Sequence, residues 1–260
     1  MNNRFILKRI SCSAYYNLND FSEECIKKFN LNEPYLSSLC NRLGLLGEHM
    51  TTVFINCLEK YRVEYGSLIC FTFSGQITPL RLILGDYIAR MGIIGGYFDF
   101  EEFLYLDEKN KKIKLLTTIY EWLTQFAQKF NHPVEPLKQA LQKSQLLDFY
   151  LPYYTGKPNM KYNYNKQNGC LVERKLNLET EEFRLLLKER NKGEFRMDLL
   201  KKEIFIIAEN PKMDPQKANK LAWLKIIGWN GDYFEVINNN DLYRFNTKDK
   251  TLTKENVMQY

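Results

Sequence analysis

Over the first 150 residues, apolar side chains recur mostly every three or four positions, which is the spacing of one face of an α-helix. The helices that this spacing predicts cover about residues 21–29, 34–61, 79–91, 114–130 and 135–149. The second of them contains Gly44 and Gly47, and we expect a break there because glycine weakens a helix interior. The third is predicted to begin at Pro79 after a Thr78 cap, since proline suits the first helical position.

Two strands are predicted among these helices. Residues 4–16 form the first, and the segment SLICFTF at 67–73 forms the second. The second segment is continuously apolar and rich in aromatic and β-branched residues, as expected of a buried strand. The glycines at 92–96 predict a turn between helices, and the charged segment DEKNKKIK at 107–114 predicts a hairpin or loop.

The pattern changes near residue 150. Two strands, at 160–164 and 170–176, are predicted to pair about Asn168-Gly169, because this dipeptide is typical of tight hairpins. The elements predicted beyond them are helices at 179–190 and 194–203, a strand at 203–211, and a three-stranded meander over 221–252 with turns at Asn230-Gly231 and 238–241.

Together these elements predict an α+β fold. A helix-rich region with one or two strands covers residues 1–150, and a sheet-rich region with antiparallel hairpins or a meander covers residues 151–260. The Pro- and Gly-bearing segment 151–158 is the predicted boundary, and one continuous domain is the alternative.

Composition excludes a disordered chain, because 45% of the 260 residues are hydrophobic and 14% are aromatic. No run approaches the roughly 20 apolar residues that cross a bilayer, so we expect no membrane association. Lys8 and Arg9 interrupt the apolar start of the chain, so a signal peptide is not expected. These features predict a cytoplasmic protein.

The six cysteines are widely spaced and form no Cys-x-x-Cys pair, so neither a zinc site nor a disulfide framework is predicted. The two histidines, His49 and His132, lie in separate segments without a zinc-binding spacing. We therefore expect no bound metal and no cofactor.

The positive charge of the chain is local. The formal net charge is +6, and the window 157–202 holds twelve basic and seven acidic residues. Aromatic residues are interleaved with the basic ones at the start of this window, which is a pattern typical of nucleic-acid surfaces and of protein interfaces. The residues predicted to bind a partner are Lys157, Lys161, Tyr162, Tyr164, Lys166, Arg174 and Lys175. We expect the basic side chains among them to be largely in solvent, because burying an unpaired charge is costly.

One segment carries candidate catalytic chemistry. Glu173-x-Lys175 on an apolar strand resembles the second half of the PD-(D/E)xK nuclease pattern, in which two carboxylates hold Mg²⁺ and the lysine assists the nucleophile. The nearest preceding acidic residue is Asp148, which is predicted to end a helix instead of lying in a neighbouring strand. A nuclease would use Asp148, Glu173 and Lys175, but the catalytic constellation is incomplete, so the sequence favours a protein that is not an enzyme.

Three functions remain open from the sequence. The first is a cytoplasmic protein-binding module, a bacterial immunity or antitoxin-type protein, whose partner is acidic or neutral because the module itself is basic. The second is a nucleic-acid-binding protein or Mg²⁺-dependent nuclease that uses the basic window. The third is an enzyme that binds small anions at the turn over 74–79, where a helix N-terminus is predicted.

Overall fold

The computed structural model describes residues 5–58, 61–63, 68–76, 83–88, 91–152, 160–162, 168–189, 202–209, 224–238, 241–246, 248–249 and 251–256. Within these ranges, strands and helices are mixed up to Phe149, and only β-strands follow. The described residues divide into two compact units at this point, one ending at Phe149 and one beginning at Tyr150. The α+β class and the antiparallel sheets in the C-terminal part are confirmed.

The described part of the N-terminal unit contains a four-stranded sheet, two further short strands that pair with each other, and α-helices. Its strands are β1 (Phe5–Ile6), β2 (Arg9–Tyr15), β3 (Arg62–Val63), β4 (Leu68–Ser74), β5 (Ile83–Ile88) and β6 (Met91–Tyr97). Its helices are α1 (Glu23–Phe29), α2 (Glu33–Cys57), α3 (Phe100–Tyr105), α4 (Glu108–Lys129) and α5 (Glu135–Gln145).

The sheet order is β2-β4-β6-β5, in which the first three strands are parallel and β5 is antiparallel to β6. Every second residue of β4 faces the helices, so Phe71 and Phe73 are buried against Trp122 of α4 at ring-centroid distances of 5.5 and 5.3 Å. Helix α2 joins β2 to β4, as expected for parallel neighbours that need a crossover. The buried strand predicted from SLICFTF is therefore confirmed as β4.

The predicted helix at 79–91 and the predicted turn at 92–96 are wrong where the structure describes these residues. Strands β5 and β6 occupy 83–88 and 91–97. The glycines of β6 allow close approach and do not make a turn: a side chain at Gly92 would lie 3.3 Å from Ile69 and from Phe126 of α4. The charged segment 107–114 is also not a loop, because Asp107 accepts a hydrogen bond from the Asn110 amide and thereby caps α4.

Helix α2 continues through the two glycines that were expected to break it. Gly44 and Gly47 are buried where α2 meets β2, and a Cβ at Gly47 would lie 3.0 Å from the Cys12 side chain and 3.0 Å from Phe73. Glycine is therefore needed here for close contact between helix and strand. That contact offsets the helix propensity that glycine lacks.

The C-terminal unit consists of two antiparallel sheets. The strands of the first sheet are β7 (Leu151–Pro152), β8 (Met160–Tyr162), β9 (Asn168–Leu176), β10 (Thr180–Glu189) and β11 (Lys202–Glu209). Their order is β11-β10-β9-β7, with β8 also paired to β9. The second sheet is a meander of β12 (Leu224–Asn230), β13 (Tyr233–Asn238), β14 (Asp241–Asn246) and β15 (Leu252–Asn256).

Apolar side chains from both sheets form one core. The buried residues of this core are Cys170, Val172, Phe183, Leu185, Phe234, Val236, Tyr243 and Phe245. The members alternate along their strands, so the intervening residues of each strand point away from the core.

The meander was predicted with three strands and has four, and its turn at Asn230-Gly231 is as expected, with Gly231 at a φ of +61°. The helix predicted at 179–190 is wrong, because Thr180–Glu189 form β10. The hairpin turn predicted at Asn168-Gly169 is also wrong, since both residues lie in β9 and Gly169 pairs with Tyr162. Of the helix predicted at 194–203, residues 194–201 lie outside the described residues, and 202–203 begin β11.

Replacing Gly47 with valine tests the close contact between α2 and β2. We expect the free energy of unfolding to fall by about 1–3 kcal/mol, because the added side chain overpacks the contact with Cys12 and Phe73. Chemical denaturation measures the change. The control is Ser37→Val at an exposed position of the same helix, expected to change stability by less than about 0.5 kcal/mol. Equal effects at the two positions would contradict the close contact.

Candidate functional site

The candidate site lies on the outer face of strands β9 and β10. Cys170 and Val172 of β9 point into the core. Because side chains alternate along a strand, Glu173 and Lys175 both point to the opposite, outer face. The antiparallel register places Arg184 directly opposite Glu173 and Glu182 directly opposite Lys175.

Each of these four charges has an opposite charge across the strands. The Arg184 Nε atom lies 2.5 Å from Glu173 Oε2, and these side chains are only 12% and 13% exposed. The Lys175 Nζ atom lies 2.8 Å from Glu182 Oε2, with side-chain exposures of 21% and 18%. Two neighbouring ion pairs between β9 and β10 thus cover this part of the sheet.

Tyr150 covers the two ion pairs. The Arg184 guanidinium carbon is 3.9 Å from the centre of the Tyr150 ring, and the Lys175 ammonium is 4.9 Å from it, so both cations contact the ring face. The Tyr150 hydroxyl donates a hydrogen bond of 2.9 Å to Glu182 Oε2. We call Tyr150, Glu173, Lys175, Glu182 and Arg184 the charge ladder.

Glu182 is the most heavily bonded member of the charge ladder. Its second carboxylate oxygen accepts a hydrogen bond of 2.9 Å from Asn177. Burial raises the pKa of Glu182, but the hydrogen bonds from Lys175, Asn177 and Tyr150 outweigh burial, so this pKa lies below its ordinary value. The carboxylate is therefore held in its charged form.

The predicted binding residues are only partly tested by this arrangement. Lys161 and Tyr162 lie in β8, paired with Cys170 and Gly169. The structure describes the backbone of these two residues but not their side chains. Lys157, Tyr164 and Lys166 lie outside the described residues. Arg174 is only half-exposed and Lys175 is bonded to Glu182, so the expectation that these two side chains lie largely in solvent is wrong.

The nuclease hypothesis requires Asp148 and Glu173 to hold Mg²⁺ and Lys175 to assist the nucleophile. Glu173 and Lys175 do project from the same face of β9, but each is held by a neighbouring charge of β10. Asp148 is exposed and belongs to the N-terminal unit, after α5. No cluster of three or more His, Cys, Asp or Glu side chains suited to a metal ion occurs in the described part of the chain.

Sequence reasoning missed Tyr150, Glu182 and Arg184 as partners of Glu173 and Lys175. The reason is that 179–190 was predicted as a helix, where Glu182 and Arg184 would point in different directions. As a strand, the same residues alternate with the buried Phe183, and this period-two pattern was the available signal.

A second polar region lies at the carboxyl ends of the parallel strands, where ligands often bind to such sheets. Its carboxylates act as local caps. Asp20 accepts from the Asn17 amide at 2.8 Å, and Asp99 accepts from the Glu102 amide at 2.8 Å. Burial, together with the neighbouring Asp99 and Asp20, raises the pKa of Tyr97, so its hydroxyl stays protonated. In the described geometry, Asp20 and Asp99 accept backbone hydrogen bonds, which is a structural role.

The thiols are not arranged for nucleophilic chemistry. All six cysteines are free. Burial raises the pKa of Cys25 and of Cys40 to about 11, and burial also raises the pKa of Cys12 and of Cys170. Since the thiolate is the reactive form, these four side chains are unreactive near neutral pH.

Comparison of the chain with protein-family models, with curated proteins and with solved structures found no match. Among the helices that the structure describes, none has the length and apolar character needed to cross a bilayer.

A double-mutant cycle on Glu173 and Arg184 tests the charge ladder. We expect Glu173→Gln, Arg184→Met and the double variant to give a coupling free energy of about 1–2 kcal/mol, because a pair this shielded from water is only weakly screened. The control cycle is Asp241 with Lys254, which are also paired across strands but are 26% and 57% exposed. A coupling no larger than that of the control pair would contradict the account.

The pH dependence of stability tests Glu182. Because its pKa is lower in the folded state than the ordinary value of about 4.3, charged Glu182 stabilises the fold above that pH, and this contribution is lost as the pH falls through the folded pKa. We therefore expect Glu182→Gln to be less stable than the unmodified protein at pH 7, with the difference shrinking below about pH 4. Urea denaturation at several pH values measures this. The exposed Glu33→Gln is the control, and a pH-independent difference for Glu182→Gln would contradict the prediction.

Proposed function

We propose that this protein is a protein-binding module of the bacterial immunity or antitoxin type. The observation that supports this proposal is the pairing of charges on the charge ladder. Alternating charges with fixed partners give a surface with defined hydrogen-bonding directions, and such a surface favours specificity for another protein.

The pairing argues against phosphate recognition at the charge ladder. A nucleic-acid surface needs cations that can neutralise phosphates, whereas Lys175 and Arg184 already neutralise Glu182 and Glu173. A phosphate binding either cation would have to compete with the carboxylate already paired to it. The charge ladder therefore favours a protein partner over a nucleic acid.

Tyr150 adds to the suitability of this face for a protein partner. Its ring is held by two cations and its hydroxyl by Glu182, so it loses little conformational entropy when a partner binds. Rigid tyrosines with a fixed polar end are common in protein interfaces for this reason.

The charge of the C-terminal unit indicates the chemistry of the partner. From Tyr150 onward the chain has 20 Lys and Arg against 15 Asp and Glu, which accounts for most of the net charge of +6. A basic module associates fastest with an acidic or neutral partner, because like charges slow the encounter. The six free cysteines suit the reducing cytoplasm, where we place the protein.

Charge reversal within the basic window tests the proposal. We expect Lys157→Glu, Lys161→Glu and Lys166→Glu together to weaken binding to the partner at least about tenfold, because the change reverses the field that attracts an acidic surface. The matched control reverses Lys27, Lys109 and Lys138, which are exposed in the N-terminal unit and change the net charge equally. The partner is first captured from the native host, and affinities are then measured by titration calorimetry.

Two outcomes of the binding experiments would contradict the proposal. One is recovery of nucleic acid with no protein partner, with an affinity that falls steeply between low and physiological salt. The other is an equal loss of affinity in the window variant and in the control variant, since this would show an effect of net charge alone. If the purified protein cleaved nucleic acid in Mg²⁺ and Glu173→Ala abolished the cleavage, the nuclease hypothesis would replace the proposal.

A further inference from the structure

A cavity of about 360 Å³ opens between strand β2 and helix α2 of the N-terminal unit. Residues 12–15 of β2 form one wall, and α2 forms the other through Cys40, Gly44 and Glu48, among others. The four strand residues span about 13 Å, since a strand rises about 3.3 Å per residue. The cavity therefore lies beside the strand, and all of its lining residues belong to the N-terminal unit.

Strand β2 lies at the edge of its sheet. Among the described residues it pairs with β4 alone. Along such an edge, the peptide groups of alternate residues point toward the paired strand and away from it. The away-facing series can be identified from Ile10, whose carbonyl accepts a hydrogen bond of 3.2 Å from the Thr51 hydroxyl of α2 and so points away from β4.

The next two members of this series are Cys12 and Ala14. The Cys12 carbonyl oxygen lies 3.1 Å from the position that a Cβ of Gly44 would take, so α2 covers it closely. Ala14 is the third member, and it lines the cavity. Helix α2 thus covers the strand edge at Ile10 and Cys12 and leaves the Ala14 N–H and C=O facing the cavity.

Two side chains add recognition chemistry to this edge. The Glu48 carboxylate lines the cavity and is one third exposed. Its ion pair with Arg9 is long, at 3.5 Å, and Arg9 is 67% exposed and lies outside the cavity wall. An exposed pair of this kind is weak, so a cation entering the cavity can displace it. Tyr15, 63% exposed, provides an aromatic surface at the other end of the residue 12–15 wall.

We infer that this cavity receives an extended segment of another protein, which pairs with the Ala14 N–H and C=O and places a lysine or arginine beside Glu48. Addition of a strand to an exposed sheet edge is a general mode of peptide recognition, in which main-chain hydrogen bonds give affinity and adjacent side-chain sites give selectivity. The occupant is basic at one position because the charged group in the cavity wall is a carboxylate. This inference does not depend on the proposed function, because all of its residues belong to the N-terminal unit.

The test uses a phage-displayed library of random seven-residue peptides, selected on the full chain. We expect the enriched peptides to share a lysine or arginine at one position. Ala14→Pro removes the N–H that faces the cavity. It leaves the hydrogen bonds to β4 in place, because this N–H points away from β4. Proline is tolerated at such positions of an edge strand. We expect this variant to fold and to bind the selected peptides at least about tenfold more weakly.

Three further variants separate the contributions of the carboxylate and of the strand edge. Glu48→Gln is expected to weaken the selected peptides about tenfold, whereas Glu33→Gln, an exposed glutamate of the same helix, is expected to leave their affinity unchanged. Ser13→Pro is expected to lower the melting temperature, because the Ser13 N–H faces β4.

Each contrary result overturns the inference. Peptides that bind Ala14→Pro as tightly as the unmodified chain would show that the strand edge is not used. Unfolding of Ala14→Pro would show that the Ala14 N–H belongs to the sheet. Failure to enrich any peptide, or enrichment without a shared basic residue, would also contradict it.

Discussion

The candidate site depends on the register between β9 and β10. This register places Phe183 in the core and, on the opposite face, sets Arg184 against Glu173 and Glu182 against Lys175. A shift by one residue would turn Phe183 and Leu185 toward the outer face and the four charges toward the core. Burial of the two apolar side chains therefore fixes the position of both ion pairs, and Tyr150 takes its place over the pairs as a result.

The N-terminal unit depends on a comparable constraint, the short distance between α2 and β2. Gly47 and Gly44 allow the helix to contact Cys12, and the Thr51 hydroxyl bonds to the Ile10 carbonyl. The same geometry covers part of the edge of β2 and leaves the rest beside a cavity. Close contact along one part of the helix thus creates an opening along another.

The elements that the sequence predicted correctly are those whose local signals agree with their environment. The segment 68–74 has apolar residues on both sides of a strand, and Asn230-Gly231 fits a tight turn between strands. Two of the elements predicted wrongly, 83–97 and 180–189, show why such signals fail. In the first segment, Gly92 looks like a turn residue but allows close contact with Phe126. In the second segment, the helix-favouring residues Leu, Glu and Lys form a strand because both edges of that strand are paired. Long-range contacts decided both cases, and no local pattern contains them.

The candidate site could be predicted only in part. The sequence identified Glu173 and Lys175 as neighbours on one face of a strand, which the period of a strand requires. It did not identify Glu182 and Arg184, because their proximity depends on the pairing of β9 with β10. It did not identify Tyr150 either, because this residue begins the C-terminal unit and lies far from β9 along the chain. The resulting neutralisation of Lys175 by Glu182 supports the proposed protein partner over a phosphate-bearing one.

Amide hydrogen exchange on the complex with the captured partner tests the central claim, that the C-terminal unit binds a protein through the face carrying the charge ladder. Peptic fragments covering Tyr150 and residues 157–189 are expected to exchange more slowly in the complex than in the free protein, because binding excludes water from their amides. Fragments of α4 and α5 serve as the internal reference and are expected to be unchanged. Slower exchange confined to the N-terminal unit, with residues 157–189 unaffected, would contradict the account.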